Sequence, residues 1–372
     1  MTTPAATMFL DLIAPVLDLA IALQQIPAPT FQEAQRAEFV RQTFLTEGLS
    51  AVTSDELGNV YACLPGEGLA APLVVSAHLD TVFPDMTNLE VKRSADRITG
   101  PGIGDNSMGI AGLLGLVWAL RGKGRSLPGD LWLVANVGEE GLGDLCGMRA
   151  VVDRFKNQPL AYIVLEGMAL GQIYNRGLGV RRYQISAHTR GGHSWVDYGA
   201  PSAVHELVAV AHHLAAMQLP GHPRTTMNIG KISGGISVNT IAAEAHLELD
   251  LRSEDLATLD HLAARVECLV IDSERPGVQM KFQIIGNRPA GSIASQHQLV
   301  RLAWHCLERA GVQPRLNIGS TDANIPFSRG LPAICVGLTT GLGAHTLDEY
   351  IHIRPIAHGL AQLVCLVEGL YN

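Results

Sequence analysis

Apolar residues recur with two different periods along this 372-residue chain, and the change of period marks out its architecture. Short apolar runs such as Leu73–Val75, Leu131–Val137 and Tyr162–Leu165 predict buried strands, each ending in polar or Gly-rich sequence. Helical spacing appears over residues 8–25, over a segment using Ala37, Phe39, Val40, Phe44 and Leu45, and from about Ile110 to Arg121. Thr30-Phe31-Gln32-Glu33 has the form of a capping box, which predicts that Thr30 caps the second helix, Glu33 reaches back and Gly48 ends it. Ala51–Thr53 and Asn59–Leu64 are further strand-like segments, and after about Ile293 the same style returns with a helix at Gln298–Arg309 and a strand at Ala333–Gly337. Such alternation predicts an α/β fold with a mixed, largely parallel sheet flanked by helices.

Between these parts the period is that of half-buried strands. Gly179–Thr189, Met227–Ile232, Ala242–Arg252 and Val278–Ile285 alternate apolar and polar residues, and helical spacing at Ser202–Met217 and Leu256–Ile271 separates them. This β-α-β-β-α-β order predicts a ferredoxin-like α+β module. The expected organisation is therefore a discontinuous first domain, residues 1–177 and 290–372, carrying an insertion at 178–289.

Composition narrows the class. The chain is 47% hydrophobic and 17% charged, with a formal net charge of −8 and no Lys/Arg-rich run, which argues against a nucleic-acid partner. Met8–Leu23 is apolar but lacks a basic leader and contains Asp11 and Asp18, so neither a signal peptide nor a membrane span is expected. The six cysteines are scattered without a CxxC pair, which fits reduced thiols in a cytoplasmic protein.

Chemistry gathers at the ends of the predicted strands, where open α/β sheets place their sites. His78 and Asp80 stand two apart at the end of an extended segment, so imidazole and carboxylate share a face, and a carboxylate can hold the second N–H of a metal-ligating histidine. With Asp105, Glu140, Glu166 and His345, His78 makes a set of two imidazoles and three carboxylates that suits Zn²⁺, with Mn²⁺ or Co²⁺ also able to use it. Five ligands exceed one tetrahedral ion and suffice for two if a carboxylate bridges. Each residue has a plainer reading. Gly102-Ile103-Gly104 could be a nucleotide turn, although the GxGxxG spacing is absent, Glu139-Glu140 a solvated acidic turn, and His345 a loop histidine. Glu166 follows an apolar run, where a carboxylate risks burial without a partner.

SAHLDTV, the GDNSMG turn, GEEGLG, the Glu after IVL, and AHTLDEY occur in an order that resembles the two-zinc metallopeptidases, a family including glutamate carboxypeptidase, aminoacylase, succinyl-diaminopimelate desuccinylase and peptidase T. The resemblance implies that Asp105 bridges two Zn²⁺ ions, with His78 and Glu166 on one and Glu140 and His345 on the other. It further implies that Asp80 orients His78, that Glu139 is the general base, and that the Asp105–Asn106 peptide is cis. His193 matches a lid histidine that reaches the partner subunit's active site in dimeric members, so a homodimer through the inserted domain is expected. Asn239 and Arg252 resemble lid positions that grip a substrate carboxylate, though Ala242 stands where the family usually has Pro. Ser320 and Thr321 lie in a segment resembling the substrate-side loop.

The implied activity is hydrolysis of a peptide or N-acyl amide bond in short peptides or N-acyl amino acids. Glu166 resembles the carboxypeptidase and deacylase members, whereas GSTDANIP and AHTLDEYI resemble the peptidase T branch, which makes a tripeptide aminopeptidase the alternative. A non-catalytic dimeric binding protein with a structural metal site is the alternative of another class, and the presence of Glu139 speaks against it.

Overall fold

A computed structural model of the chain describes residues 3–124 and 126–371. Two compact units emerge, Met1–Gly177 with Gly291–Asn372, and Leu178–Ala290.

The first unit is built on a nine-stranded sheet in the order Ser50–Ser54, Val60–Leu64, Leu131–Asn136, Leu73–His78, Tyr162–Glu166, Ala333–Gly337, Gln172–Gly177 and Gly291–Ser292, with Arg315–Gly319 also paired to Gln172–Gly177. The four strands from Leu131–Asn136 to Ala333–Gly337 run parallel, while Ser50–Ser54 and Val60–Leu64 join antiparallel. Parallel strands are covered on both faces, so they carry apolar side chains both ways; every residue of Leu73–His78 is buried. One face packs on helices Ile13–Gln24, Ala34–Thr46, Gly109–Gly122, Gln298–Ala310 and Ile356–Gly369. The other packs on Cys146–Phe155 and Asn324–Ser328. The run Ile103–Gly122 has the length and apolarity of a membrane span, but 89% of its apolar window is buried in the fold, as a core helix is.

Two local expectations need correction. Residues 8–25 are not one helix, because a 3₁₀ turn at Leu10–Leu12 precedes Ile13–Gln24. The capping box forms only in part: Glu33 reaches back, but to Phe31 rather than Thr30, and a tertiary partner takes the Thr30 hydroxyl. The Thr30 hydroxyl donates to Asp80 Oδ2 at 2.9 Å, and Glu33 Oε1 accepts the N–H groups of Phe31 and Gly138 at 3.0 and 3.2 Å.

The second unit is a four-stranded antiparallel sheet ordered Thr225–Gly234, Glu244–Ser253, Gly179–Thr189, Val278–Arg288. Alternate residues Tyr183, Ile185, Ala187, Leu247, Leu249 and Leu251 are buried with the apolar stripes of helices Ala203–Ala215 and Leu256–Asp272. That is the strand and helix order of a ferredoxin-like module.

Candidate metal centre

Parallel pairing brings the carboxyl ends of the central strands to one sheet edge. His78 closes its strand opposite Asn136, and Glu166 closes the next strand. The chain leaves Asn136 through Gly138, whose φ of +65° and whose position, where a Cβ would lie 2.4 Å from Cys146 Sγ, require glycine. This turn returns Glu139 and Glu140 to the edge. Asp80 fixes both of them, its Oδ1 accepting the Glu139 N–H at 2.9 Å and its Oδ2 the Glu140 N–H at 2.8 Å. Its hold on His78 is looser, with Oδ1 3.4 Å from Nδ1, while the Asp80 carbonyl oxygen lies 3.0 Å from that nitrogen. Asp80 therefore organises three site residues at once.

Asp105 lies in the turn before helix Gly109–Gly122, and the Asp105–Asn106 peptide is cis. The Asn106 amide ties this turn to the Glu166 strand, donating to the Leu165 carbonyl at 2.8 Å and accepting the Gly167 N–H at 3.0 Å. His345 adopts φ +65°, a left-handed conformation that costs a non-glycine residue energy and persists where surrounding structure enforces it.

Five side chains converge. His78 Nε2 lies 3.1 Å from Asp105 Oδ1 and 3.8 Å from Glu166 Oε2. His345 Nε2 lies 3.2 Å from Asp105 Oδ2 and 2.9 Å from Glu140 Oε1. The two oxygens of Asp105 thus face different imidazoles, and potential ligand atoms of His78, Asp105 and Glu166, and of Asp105, Glu140 and His345, fall within 4.8 Å of one another. Bonds of ~2.0–2.1 Å in tetrahedral geometry separate ligand atoms by roughly 3.3 Å, close to these spacings. Asp105 Oδ1 is buried without a hydrogen-bond donor in good geometry, despite its short distance to His78. Lone pairs converging on a common point, rather than aligned with N–H groups, are what cation ligands present. The donor set fits two divalent cations sharing Asp105.

Electrostatics agree with this. Burial opposes charge on His78, yet the nearby carboxylates of Asp105, Asp80 and Glu166 hold its pKa well above the usual value. The bonds to Asp105 and Glu140 push His345 up to about 10. Burial pushes Glu140 and Glu166 up to about 7, with the charges of Glu139 and Asp105 adding to it. Burial also works against Asp105, but His345 and His78 hold it well below the usual carboxylate range. The two imidazoles and the Glu140 and Glu166 carboxyls thus hold protons more tightly than free side chains do, and cations would compete with those protons.

The remaining residues singled out in the sequence divide between the units. Ser320 and the buried Thr321 precede Asp322, whose carboxylate accepts from Asn136 Nδ2 at 2.7 Å, so this loop sits against the same sheet edge. In the second unit His193 is exposed, its Nδ1 accepting the N–H groups of Trp195 and Val196 at 3.2 and 3.4 Å. The short pairing of His193 with Thr240 places Asn239 beside it. Arg252 pairs with Asp250 at 2.7 Å and lies at the other end of the Glu244–Ser253 strand. Eight residue steps along that strand span roughly 25 Å. One copy of the unit therefore does not bring Asn239 and Arg252 together.

Sequence reasoning missed Arg36, which is 2% exposed and donates to the carbonyls of Leu79 at 2.8 Å and Ile26 at 3.0 Å. Its position on one apolar stripe with Val40 and Phe44 was the available signal. It also missed Asp322, which burial, and then the Glu139 charge, raise well above the usual carboxylate value.

A sheet-edge site of this kind on this α/β scaffold defines the class, and comparison with known proteins gives the family. The chain belongs to peptidase family M20/M25/M40, whose model matches residues 74–369. It is 26% identical to succinyl-diaminopimelate desuccinylase of Corynebacterium glutamicum over 93% of this chain and 94% of that protein. It is 26% identical to peptidase T of Aeromonas hydrophila over 86% and 87% of the two chains. Among solved structures it resembles aminopeptidase PepT of Bacillus cereus, with a TM-score of 0.78 at 20% identity over 97% of this chain and 99% of that one. The protein is a hydrolase acting on amide bonds, of a family generally dependent on two metal ions.

Proposed function

We propose that the protein hydrolyses the amide bond of short peptides or N-acyl amino acids carrying a free carboxylate, using two Zn²⁺ ions that His78, Glu140, Glu166, His345 and a shared Asp105 would hold. The observation that carries this reading is the pair of Asp105 oxygens, one facing His78, which groups with Glu166, and the other facing His345, which groups with Glu140. Cations held there would supply Lewis-acid polarisation of the substrate carbonyl and acidification of a water, with Mn²⁺ or Co²⁺ as substitutes for Zn²⁺. Glu139, 5% exposed and with a carboxylate oxygen within 4.8 Å of His78 and Glu140, accepts the proton of the attacking water and returns it to the leaving nitrogen. Asp80 keeps Glu139 in place through its backbone N–H.

His193 donates to the oxyanion of the transition state, while Asn239 and Arg252, with Ser320 and Thr321, bind the substrate. The separation of Asn239 from Arg252 along one strand supports a homodimer in which each copy supplies one end of its inserted domain to a different site. Exposed Trp195, Tyr198, Ile236 and Val238 in the loops around His193 and Asn239 support an apolar cover for that end. Six free cysteines suit a cytoplasmic protein.

Tripeptides and N-acyl amino acids blocked at one end or the other, assayed with saturating Zn²⁺, Mn²⁺ or Co²⁺, test the specificity. Cleavage that needs a free carboxylate and tolerates a blocked amine supports the deacylase and carboxypeptidase reading. Cleavage that needs a free amine favours the alternative, a tripeptide aminopeptidase, which the similarity to peptidase T supports.

A further inference from the structure

Asp105 bridges well only if its backbone is fixed, and the turn that carries it is wrapped around one buried side chain from a distant segment. Glu349 is 0% exposed. Its Oε1 accepts the N–H groups of Gly104 at 2.7 Å and of Asp105 itself at 2.8 Å, and its Oε2 accepts the Gly102 N–H at 3.2 Å. Its carbonyl oxygen accepts the Gly100 N–H at 2.8 Å. Consecutive backbone N–H groups curled around an anion form a nest, and charge-assisted bonds of this kind are about twice as strong as neutral ones. Gly102, at φ +72°, supplies the left-handed residue that such a curl needs. Glu349 also lies four residues after His345 on the same loop, and the strand it opens, Tyr350–His352, pairs with Arg97–Thr99 just before the turn.

We infer that Glu349 is a positioning residue of the metal centre: its carboxylate locks the Asp105 turn to the His345 loop and so sets the spacing of the two cation sites. It touches neither cation nor substrate, and it acts through the Asp105 backbone. The inference rests on the two-cation reading above.

Glu349→Gln tests it, since glutamine keeps the shape but loses the charge and turns an N–H group toward one of the nest's donors. The readouts are cations bound per chain, their dissociation constants by calorimetry, the melting temperature of the cation-free protein, and kcat against KM. The expected result is a folded protein whose weaker cation site loses affinity by about 10–100-fold, with kcat reduced and KM little changed. Glu349→Asp, which keeps the charge with a shorter reach, should fall between Gln and the parent, and it carries the test if the Gln variant does not fold. Parental affinity for both cations in the folded variant overturns the role of Glu349 alone. A parent chain that binds fewer than two cations overturns the two-cation reading, and this inference with it.

Discussion

The two units hold their candidate functional residues in opposite ways. In the first, His78, Glu139 and Glu140 are buried, and each is pinned through its backbone or ring by Asp80, itself 0% exposed. In the second, His193 and Asn239 are exposed, on a two-residue strand pairing and in the turn before it, and Arg252 rests against a neighbouring carboxylate. Chemistry that depends on sub-ångström ligand placement needs a preorganised site, because no later event corrects its geometry. Residues that recognise a substrate or a partner copy can be ordered by that encounter. Removing a group from the first unit should therefore cost more activity than removing one from the second.

The sharpest break is Asp105→Ala. With the shared carboxylate gone, both cations lose a ligand, and metal analysis should show fewer than two per chain with turnover at background. Glu139→Gln should separate chemistry from binding, with kcat falling roughly 10²–10⁴-fold while both cations remain. Loss of metal in the Gln variant would instead make Glu139 a ligand.

His193 tests whether the second unit works in trans. His193→Ala alone should lower kcat by roughly 10²-fold, as loss of a transition-state donor does. If His193 completes the partner's site, mixing this variant with Glu139→Gln by refolding equal amounts restores one intact site in each mixed dimer, about a quarter of parental activity. No recovery in verified mixed dimers would place His193 at the site of its own chain.

The protons held in the first unit predict a pH effect. Glu140 and Glu166 move from an ordinary 4.5 to about 7 in the cation-free fold. The folded chain therefore keeps protons that the unfolded chain has lost, and cation-free stability should fall as pH rises from 4.5 to 7. Cation binding expels these protons, so affinity should climb by up to about tenfold per pH unit for each one displaced across that window. Calorimetry in buffers of different ionisation enthalpy reads the proton release directly. A pH-independent affinity would mean that the carboxylates are already ionised in the cation-free site.

The same contrast explains what could be read from the chain alone. The parallel core was legible because its strands are short apolar runs, two of which end in His78 and Glu166, and the second unit because its strands alternate. The capping box misled in part, because Thr30 and Glu33 satisfy a local rule while their tertiary partners, Asp80 and the Gly138 N–H, lie some 50 and 105 residues away. The apolar stripe shows that Arg36 is buried but not what it bonds, its acceptors being carbonyls of a loop and of the Leu79 segment. Motif and period locate residues in a fold. They do not report which backbone groups a buried side chain will find.

Arg252 should give the smallest effect and the finest test of the comparison. Its present partner, Asp250, also accepts from Arg182 Nε at 2.9 Å, so Arg252→Ala leaves that carboxylate paired. The side chain is 41% exposed, and loss of such a pair should change stability by no more than ~0.5 kcal/mol. If its guanidinium leaves Asp250 to hold the substrate carboxylate, that bond forms equally in ground and transition states, and KM should rise roughly tenfold with kcat nearly unchanged. Arg252→Lys, which keeps the charge without the planar fork, should recover part of that loss, and an amidated substrate should show no difference between variant and parent. A fall in kcat at constant KM would instead tie Arg252 to the chemical step, and the division between a rigid centre and an adaptable grip would no longer follow the boundary between the two units.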